Sequence, residues 1–204
     1  ALEEERRRVL PVFDALAGCG VPLSVDTRKP ALMSEAIVAG AAMVNDVTAL
    51  AAPAALEAVA RSPVAVCLMH MQGEPGTMQE NPTYQDVVRE VREYLAQRIA
   101  AAERAGIARD RIAADPGFGF GKTLEHNLAL LRSLAEFRSL GVALMAGLSR
   151  KAMLGSLTGR EPRERVHASV AAALLAVENG AQIVRVHDVA ATRDALAVWQ
   201  AVRG

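Results

Sequence analysis

Aromatic residues are scarce in this 204-residue chain, since one Trp, two Tyr and four Phe make up only 3% of it. So few rings argue against a stacking surface for single-stranded nucleic acid. Neither sign of charge is in excess, because 23 basic residues balance 23 acidic ones. This balance excludes a strongly basic nucleic-acid platform and an acidic disordered tail.

Cysteine, lysine and long apolar runs are also scarce. Cys19 and Cys67 lie in apolar surroundings without a metal-ligand spacing, which argues against a disulfide scaffold and favours a cytoplasmic protein. No run of about 18 apolar residues occurs and the chain begins with charged residues, so we expect neither a membrane span nor a signal peptide. The chain contains only three lysines but 20 arginines. Because arginine is so common, an isolated arginine is weak evidence for a functional site.

The chain is instead rich in a repeated pattern of a helix, a glycine and a short apolar run. Five of the six apolar runs follow a helical stretch that stops at a glycine, a common end for a helix. Strands that alternate with helices of about 10–20 residues predict βαβ units and a parallel sheet. The predicted strands are Val21–Val25, Ala41–Val44, Val64–Leu68, Ile112–Ala114, Val142–Leu148 and Ile183–Val186. The predicted helices include 2–17, 30–40, 53–60, 124–140, 163–179 and 190–202, and a long one ends at Gly106.

Two architectures fit this alternation of strands and helices. A (βα)8 TIM barrel needs eight strands and about 250 residues, so its first two strands and first helix would be absent from this sequence. An open, doubly wound sheet would need no missing strands. No linker or charge block divides the chain, and we expect a single domain over 1–204, incomplete at its N-terminus if it is a barrel.

Carboxylates and an amide lie at the ends of three predicted strands. Asp26 shares a strand face with Ser24, Asn45 ends the next strand, and Asp115 follows a later one. Because the carboxyl ends of parallel strands meet at one rim, we expect Asp26, Asn45 and Asp115 to converge there. Together they suit a heterocycle that offers several N–H donors. The alternative is that the two aspartates merely cap the helices that follow them.

A glycine-rich segment, GFGFGKT at 117–123, resembles a phosphate-binding loop at first sight. A P-loop needs a glycine where Pro116 stands, and the Rossmann fingerprint needs one where Lys122 stands. We therefore expect a flexible glycine loop, in which a phenylalanine can cover one face of a ring ligand. Met69, at the end of another strand, can pack on a flat ligand or simply fill the core.

Two basic groups follow the last two strands. Ser149, Arg150 and Lys151 open a helix, where cations oppose the helix dipole unless an anion binds there. The alternative for this group is a solvated basic turn. Arg185 and His187 share a face of the last strand and suit a di- or polyphosphate. Their alternative is an internal ion pair of Arg185 with Asp26 or Asp115.

Taken in order along all 204 residues, these blocks resemble the bacterial dihydropteroate synthases, a family of pterin-binding enzymes. The resemblance implies a (βα)8 barrel, a homodimer and the joining of 4-aminobenzoate to 6-hydroxymethyl-7,8-dihydropterin diphosphate in folate biosynthesis, with sulfonamides as inhibitors. The matching blocks are SVDT at 24–27, ND at 45–46, LMHMQG at 68–73, DPGFGFGK at 115–122, SRK at 149–151 and RVHD at 185–188.

The resemblance also implies a role for each site residue. Asp26, Asp115 and Lys151 are the implied catalytic residues. The pterin contacts are Asp26, Asn45, Met69, Asp115, Phe120, Gly147 and Lys151. The aminobenzoate would lie beside Ser149, Arg150 and Lys151, and the diphosphate beside Arg185 and His187.

The reaction implied by the resemblance begins with departure of diphosphate, leaves a pterin-methyl cation and ends with attack by the arylamine. The resemblance implies Mg²⁺ as well, but the family's Asn ligand belongs to an N-terminal strand that these residues lack, so no metal ligand is predicted here. Two alternatives stay open, a methyltetrahydrofolate-dependent methyltransferase domain and a pterin-binding paralogue without catalysis. The SRK and RVH blocks favour the synthase over the methyltransferase, because they suit an anionic leaving group and a carboxylated substrate.

Overall fold

The computed structural model describes residues 1–203, which alternate helices with strands as predicted. The helices are α1 (Leu2–Leu16), α2 (Pro30–Val38), α3 (Pro53–Ala60), α4 (Val87–Arg104), α5 (Leu124–Arg132), α6 (Ala152–Thr158), α7 (Val166–Glu178) and α8 (Val189–Arg203). The strands are β1 (Leu23–Asp26), β2 (Ala41–Asp46), β3 (Ala65–Met69), β4 (Ile112–Asp115), β5 (Ala143–Ala146) and β6 (Ile183–Val184).

The chain divides into two compact units. The first consists of Ala1–His70 and Tyr94–Ala114, and the second of Met71–Glu93 and Asp115–Gly204. In the first unit β1 pairs with β2 and β2 with β3, both in parallel. Helices separate these consecutive strands, so each pair is a βαβ unit and the predicted parallel arrangement is confirmed there.

The first unit buries aliphatic side chains from both its strands and its helices. Leu32 and Met33 of α2, Val44 of β2 and Val66 of β3 are fully buried. The helix α1 is anchored to α2 by an ion pair of Arg6 with Glu35. On β1, Val25 is buried while Ser24 and Asp26 are exposed, which confirms that the polar pair shares one strand face.

The second unit contains the parallel pair β5 and β6, with Met145 opposite Ile183. The sequence predicts a strand over Ile183–Val186, but β6 ends at Val184. Beyond it the Arg185 amide still donates to the Ala146 carbonyl at 3.0 Å, whereas the His187 amide donates to the Ser149 hydroxyl. The strand is therefore shorter because a side chain replaces the backbone as the partner of His187.

The predicted helix over 124–140 is also interrupted. It runs as α5 to Arg132 and continues, after Ser133, as a 3-10 helix over Leu134–Leu140. Leu134, Phe137 and Leu140 are all buried. A 3-10 helix turns every three residues, so it places this i, i+3, i+6 set on one face, which an α-helix would spread apart.

No helix in the described part of the chain is long and apolar enough to cross a membrane.

Candidate active site

In the first unit, Asp26 and Asn45 are neighbours at the ends of adjacent strands. They lie opposite each other in the parallel register, and the Asn45 Nδ2 donates to Asp26 Oδ2 at 3.0 Å. Asn45 is only 6% exposed, and its Oδ1 is the one buried side-chain polar atom without a hydrogen-bond partner among residues 1–203. An unsatisfied buried acceptor is costly, so this oxygen is suited to receive an N–H from a ligand.

The loop after β2 keeps Asn45 in place. The fully buried Asp46 accepts hydrogen bonds from the amides of Thr48 and Leu50 at 2.8 and 2.9 Å. Ala49 and Leu50 have left-handed backbone angles, with φ of 52° and 54°, which cost energy in residues other than glycine. The Asp46 carboxylate thus stabilises a strained turn directly beside the Asn45 amide.

The alternative that the two aspartates cap helices is wrong. The N-cap position of α2 is occupied by Lys29, which makes no side-chain capping hydrogen bond, and that of α5 by Thr123, whose hydroxyl accepts the His126 amide. Thr123 shares a capping box with His126. Both carboxylates are thus left for other partners.

Met69, the third predicted site residue of the first unit, is 3% exposed at the end of β3. His70 follows it, is 7% exposed and packs edge-on against Tyr94, with ring centroids 5.0 Å apart. The methionine therefore belongs to the core of its unit, and its predicted contact with a ring ligand remains a prediction.

In the second unit, Asp115 forms a tight turn with the glycine loop. Its Oδ1 accepts the Gly117 amide at 2.7 Å, and the side chain is buried. Burial raises the pKa of the Asp115 carboxyl, while the Gly117 hydrogen bond and the charges of Lys151, Lys122 and Arg185 lower it in part. The site thus holds a desolvated carboxyl group among cations.

Lys122 is the residue of this loop that the sequence reasoning did not select. It is 3% exposed, and its Nζ donates to the carbonyls of Gly117 and Phe120, each at 3.0 Å. Burial lowers the pKa of Lys122 to about 7, although the Asp115 charge opposes that shift. The loop is therefore folded around an internal amine and not around a phosphate.

Gly117, Gly119 and Gly121 all have positive φ, which explains why glycine recurs in this segment. The Gly119 amide donates to Asn127 Oδ1 at 2.7 Å, and the Asn127 Nδ2 donates to the Thr123 carbonyl at the same distance. The predicted flexible loop is thus held at several points by the second unit itself.

Lys151 lies over this loop. Its Nζ donates to the Phe118 carbonyl at 2.5 Å and sits 4.1 Å from the centre of the Phe120 ring. The ammonium group thus makes a cation–π contact with Phe120, the phenylalanine that the resemblance assigns to the pterin. The structure brings Lys151 and Phe120 together as the sequence could not show.

The alternative that residues 149–151 form a solvated basic turn is also wrong. Arg150 forms a two-point ion pair with Asp188, with contacts of 2.6 and 3.1 Å. Ser149 is 7% exposed, and its hydroxyl lies 2.9 Å from His187 Nδ1. The SRK and RVHD blocks therefore contact each other, through Ser149 with His187 and Arg150 with Asp188.

Gly147 lies between two of the other site residues. A Cβ placed on it would be 3.8 Å from Asp115 Oδ2 and 3.9 Å from the Arg185 Cβ. Gly147 is therefore adjacent to a carboxylate and an arginine, and a methyl group at this position would be in ordinary van der Waals contact with both. Arg185 and His187 are both exposed, so a ligand can reach these groups from solvent.

One missed residue, Lys122, had a signal in the sequence. Like the predicted Lys151, it is one of only three lysines in a chain with 20 arginines, and both lysines contact the same loop. In a composition that favours arginine so strongly, a lysine is the more informative cation. Asp46 and Asp188, which follow predicted site residues directly, carried no signal beyond that position.

No group of three or more His, Cys, Asp or Glu side chains that could hold a metal ion occurs in residues 1–203. Since Mg²⁺ is often held by only one or two protein groups together with substrate phosphates, the Mg²⁺ that the resemblance implies stays a prediction.

Comparisons with known proteins identify the family of this chain. A family model described as "Pterin binding enzyme" matches residues 1–187. The dihydropteroate synthase of Neisseria meningitidis serogroup B is 55% identical over 206 residues, which is 98% of this chain and 72% of that protein.

Solved structures match as well. That of dihydropteroate synthase from Stenotrophomonas maltophilia, with imidazole in its active site, has a TM-score of 0.97 and 57% identity, covering 100% of this chain and 78% of that one. That of the Xanthomonas albilineans enzyme with 7,8-dihydropteroate has a TM-score of 0.94 and 54% identity, with the same coverage. The chain therefore belongs to the pterin-binding enzyme family. The relatives named here are dihydropteroate synthases, and the predicted resemblance is confirmed.

Proposed function

We propose that this chain condenses 4-aminobenzoate with 6-hydroxymethyl-7,8-dihydropterin diphosphate, a transferase reaction of folate biosynthesis. The observation that carries the proposal is the buried Asp115 carboxyl group, which is held by the Gly117 amide among cationic side chains. A relative with 54% identity binds 7,8-dihydropteroate, the product of this reaction.

The reaction exchanges one bond at the pterin methyl carbon for another. The C–O bond to the diphosphate breaks and its electron pair leaves with the diphosphate. The amine nitrogen of 4-aminobenzoate then forms a C–N bond with the carbon and loses a proton to solvent. Positive charge develops on the pterin and negative charge on the leaving group, so a site needs groups of both signs.

The residues divide between these tasks. We assign Asp26, Asn45 and Asp115 to the N–H groups of the pterin, where the two carboxylates also stabilise its positive charge. Met69 and Phe120 flank the ring, Gly147 leaves it room, and Lys151 donates to it. Arg185 and His187 stabilise the departing diphosphate, and the 149–151 turn receives the aminobenzoate.

An experiment can distinguish the proposed synthase activity from two other functions. A methyltetrahydrofolate-dependent methyltransferase would release no diphosphate, and a pterin-binding paralogue would bind pterin without turnover. The test is an assay of diphosphate release by the full natural protein with both substrates, alongside calorimetry with the pterin alone. We expect diphosphate release that depends on 4-aminobenzoate and is inhibited by a sulfonamide. Pterin binding without release would contradict the proposal.

We propose that the strands belong to a (βα)8 barrel, which is supported by their parallel βαβ units. We also propose a homodimer. It is supported by exposed aliphatic side chains on α7 and α8, two helices that pack together, namely Leu175, Val189, Val198 and Val202. Light scattering of the wild type and of Val198→Glu tests whether the protein is a dimer.

Cytoplasmic location and dependence on Mg²⁺ remain predictions. Assaying the activity with and without a chelator tests the dependence on Mg²⁺.

A further inference from the structure

The turn at Arg150 has an unusual backbone. Its φ is 59°, in the left-handed region that residues other than glycine rarely adopt. Such a conformation persists only when its surroundings hold it, and it is found preferentially at functional sites. The question is therefore which groups hold Arg150, because Ser149 and Lys151, on either side of it, both belong to the site.

Two residues near the start of α7 hold the backbone of this turn. The Ser169 hydroxyl accepts the Arg150 amide at 2.9 Å and donates to the Arg165 carbonyl at 2.6 Å. The Arg165 guanidinium donates to the carbonyls of Arg150 and Lys151, at 3.0 and 3.3 Å. Every backbone polar group of Arg150 is thus bound by Ser169 or Arg165.

The position of Arg165 is itself determined by a glycine. A Cβ added at Gly155, inside α6, would overlap the Arg165 guanidinium. Gly155 has no positive φ, so helix geometry does not require a glycine there. Since glycine is unfavourable inside a helix, the absence of a side chain at Gly155 is explained by the guanidinium that lies against it.

We propose that Arg165 and Ser169 are positioning residues that hold the strained Arg150 turn and thereby direct Lys151 at the glycine loop and the substrate. The Lys151 Nζ reaches the Phe118 carbonyl and the Phe120 ring only if the backbone at 150–151 keeps this course. Arg165 contacts Lys151 through its backbone carbonyl and not through the ammonium group that is assigned to the pterin. The inference rests on the proposed function, because the role of Lys151 in binding the pterin does.

The variant that tests this proposal is Gly155→Ala, which displaces the Arg165 side chain without removing it. We expect pterin affinity, measured by calorimetry on the full natural protein, to fall at least about tenfold. The melting temperature should change little, because the preference of alanine for the helix offsets the hydrogen bonds that Arg165 loses. Ser156→Ala, an exposed change at the next position of α6, is the matched control and should leave the affinity unchanged.

A double-mutant cycle shows whether the effect passes through Lys151. In a Lys151→Met background, Gly155→Ala should change pterin affinity less than about twofold. An equal loss of affinity in both backgrounds, or none in the wild-type background, would overturn the proposal.

Amide hydrogen exchange tests the same contacts without a ligand. Ser169→Ala and Gly155→Ala should both accelerate exchange at Arg150, whose amide loses its partner or its support. Unchanged exchange in both variants would also overturn the proposal. If the wild-type protein binds no pterin, the proposed function fails, whereas exchange at Arg150 still decides whether Arg165 and Ser169 hold the turn.

Discussion

The two units of this protein each contain one buried asparagine beside residues that the sequence assigns to a site, and the two amides have different partners. Asn127 of the second unit is 2% exposed, with its oxygen bound by the Gly119 amide and its nitrogen donating to the Thr123 carbonyl. Asn45 of the first unit donates to Asp26, but its oxygen has no partner. The Asn127 amide thus makes its hydrogen bonds within the protein, whereas the Asn45 oxygen can still accept a hydrogen bond from a ligand.

The same contrast extends to the residues around each asparagine. Asp26 and Asn45 are placed by strand register, and a single hydrogen bond joins their side chains. Asp115 and Lys151 are placed by loops whose own contacts involve Lys122 and Arg150. We expect substitutions of Asp26 or Asn45 to affect ligand binding alone. Substitutions that alter the loops around Asp115 and Lys151 should affect ligand binding by moving these two side chains.

The largest expected effect is that of Asp115→Asn. The amide oxygen can still accept the Gly117 amide, so the fold should survive. Loss of the charge should weaken pterin binding by about 100-fold, the consequence of losing a charged hydrogen bond of about 2.7 kcal/mol. Calorimetry with the pterin, beside a melting curve, measures both. An unchanged affinity would mean that the Asp115 carboxyl group only stabilises the turn at Gly117 and does not bind the pterin.

A second prediction concerns the pH dependence of stability that Lys122 introduces. Its pKa is about 7 in the folded protein and near the ordinary 10.5 when unfolded. Between these values the unfolded chain binds the extra proton, so the free energy of unfolding should rise with pH, by up to about 1.4 kcal/mol per unit. Below about pH 7 both states are protonated and the full cost of burying the charge is present.

Lys122→Met removes this contribution. Denaturation with urea between pH 8 and 10 should show a steeper rise for the wild type than for the variant, whose other titrating groups are the same. Parallel curves would show that Lys122 is charged throughout this range in the folded protein.

Much of the fold follows from the sequence. The alternation of apolar runs with helices that end at glycine predicts every strand, and local hydrophobic periodicity suffices for this. Two of the errors fall where a side chain competes with the backbone or where a helix changes its period. They are the shorter β6, where Ser149 binds the His187 amide, and the 3-10 helix at Leu134–Leu140. Another is β5, which the sequence predicts over Val142–Leu148 but which spans only Ala143–Ala146.

The candidate site divides in the same way. Residues at strand ends, such as Asp26 and Asn45, are predictable because strand register alone makes them neighbours. The partners of Lys151 and Arg150 lie on segments distant in sequence, namely Phe118 and Asp188, and no spacing rule connects them. The role of Arg165 could not be predicted, because nothing in the sequence distinguishes it from the other 19 arginines.

The third prediction uses the two asparagines directly. Asn127→Ala leaves the Gly119 amide without its partner and removes one of the two hydrogen bonds to the Thr123 carbonyl, which keeps the backbone amide of residue 127. It should lower the free energy of unfolding by about 2 kcal/mol. Asn45→Ala loses one hydrogen bond but also removes an unsatisfied buried oxygen, so stability should change by less than about 1 kcal/mol. Pterin affinity should nevertheless fall about tenfold in Asn45→Ala. Equal losses of stability would contradict the distinction between the two amides.

The smallest expected effect concerns the strained turn beside Asn45. Ala49→Gly relieves a left-handed backbone worth about 1–2 kcal/mol, but it loses a buried methyl group of about 0.8 kcal/mol and makes the unfolded chain more flexible. These contributions nearly cancel, so the free energy of unfolding should change by less than about 0.5 kcal/mol. Ala51→Gly, two residues later and without a positive φ, gains no such relief and should lose about 0.7 kcal/mol. Urea denaturation of both variants measures the difference, and an equal loss would mean that the Asp46 carboxylate holds a turn that is not strained.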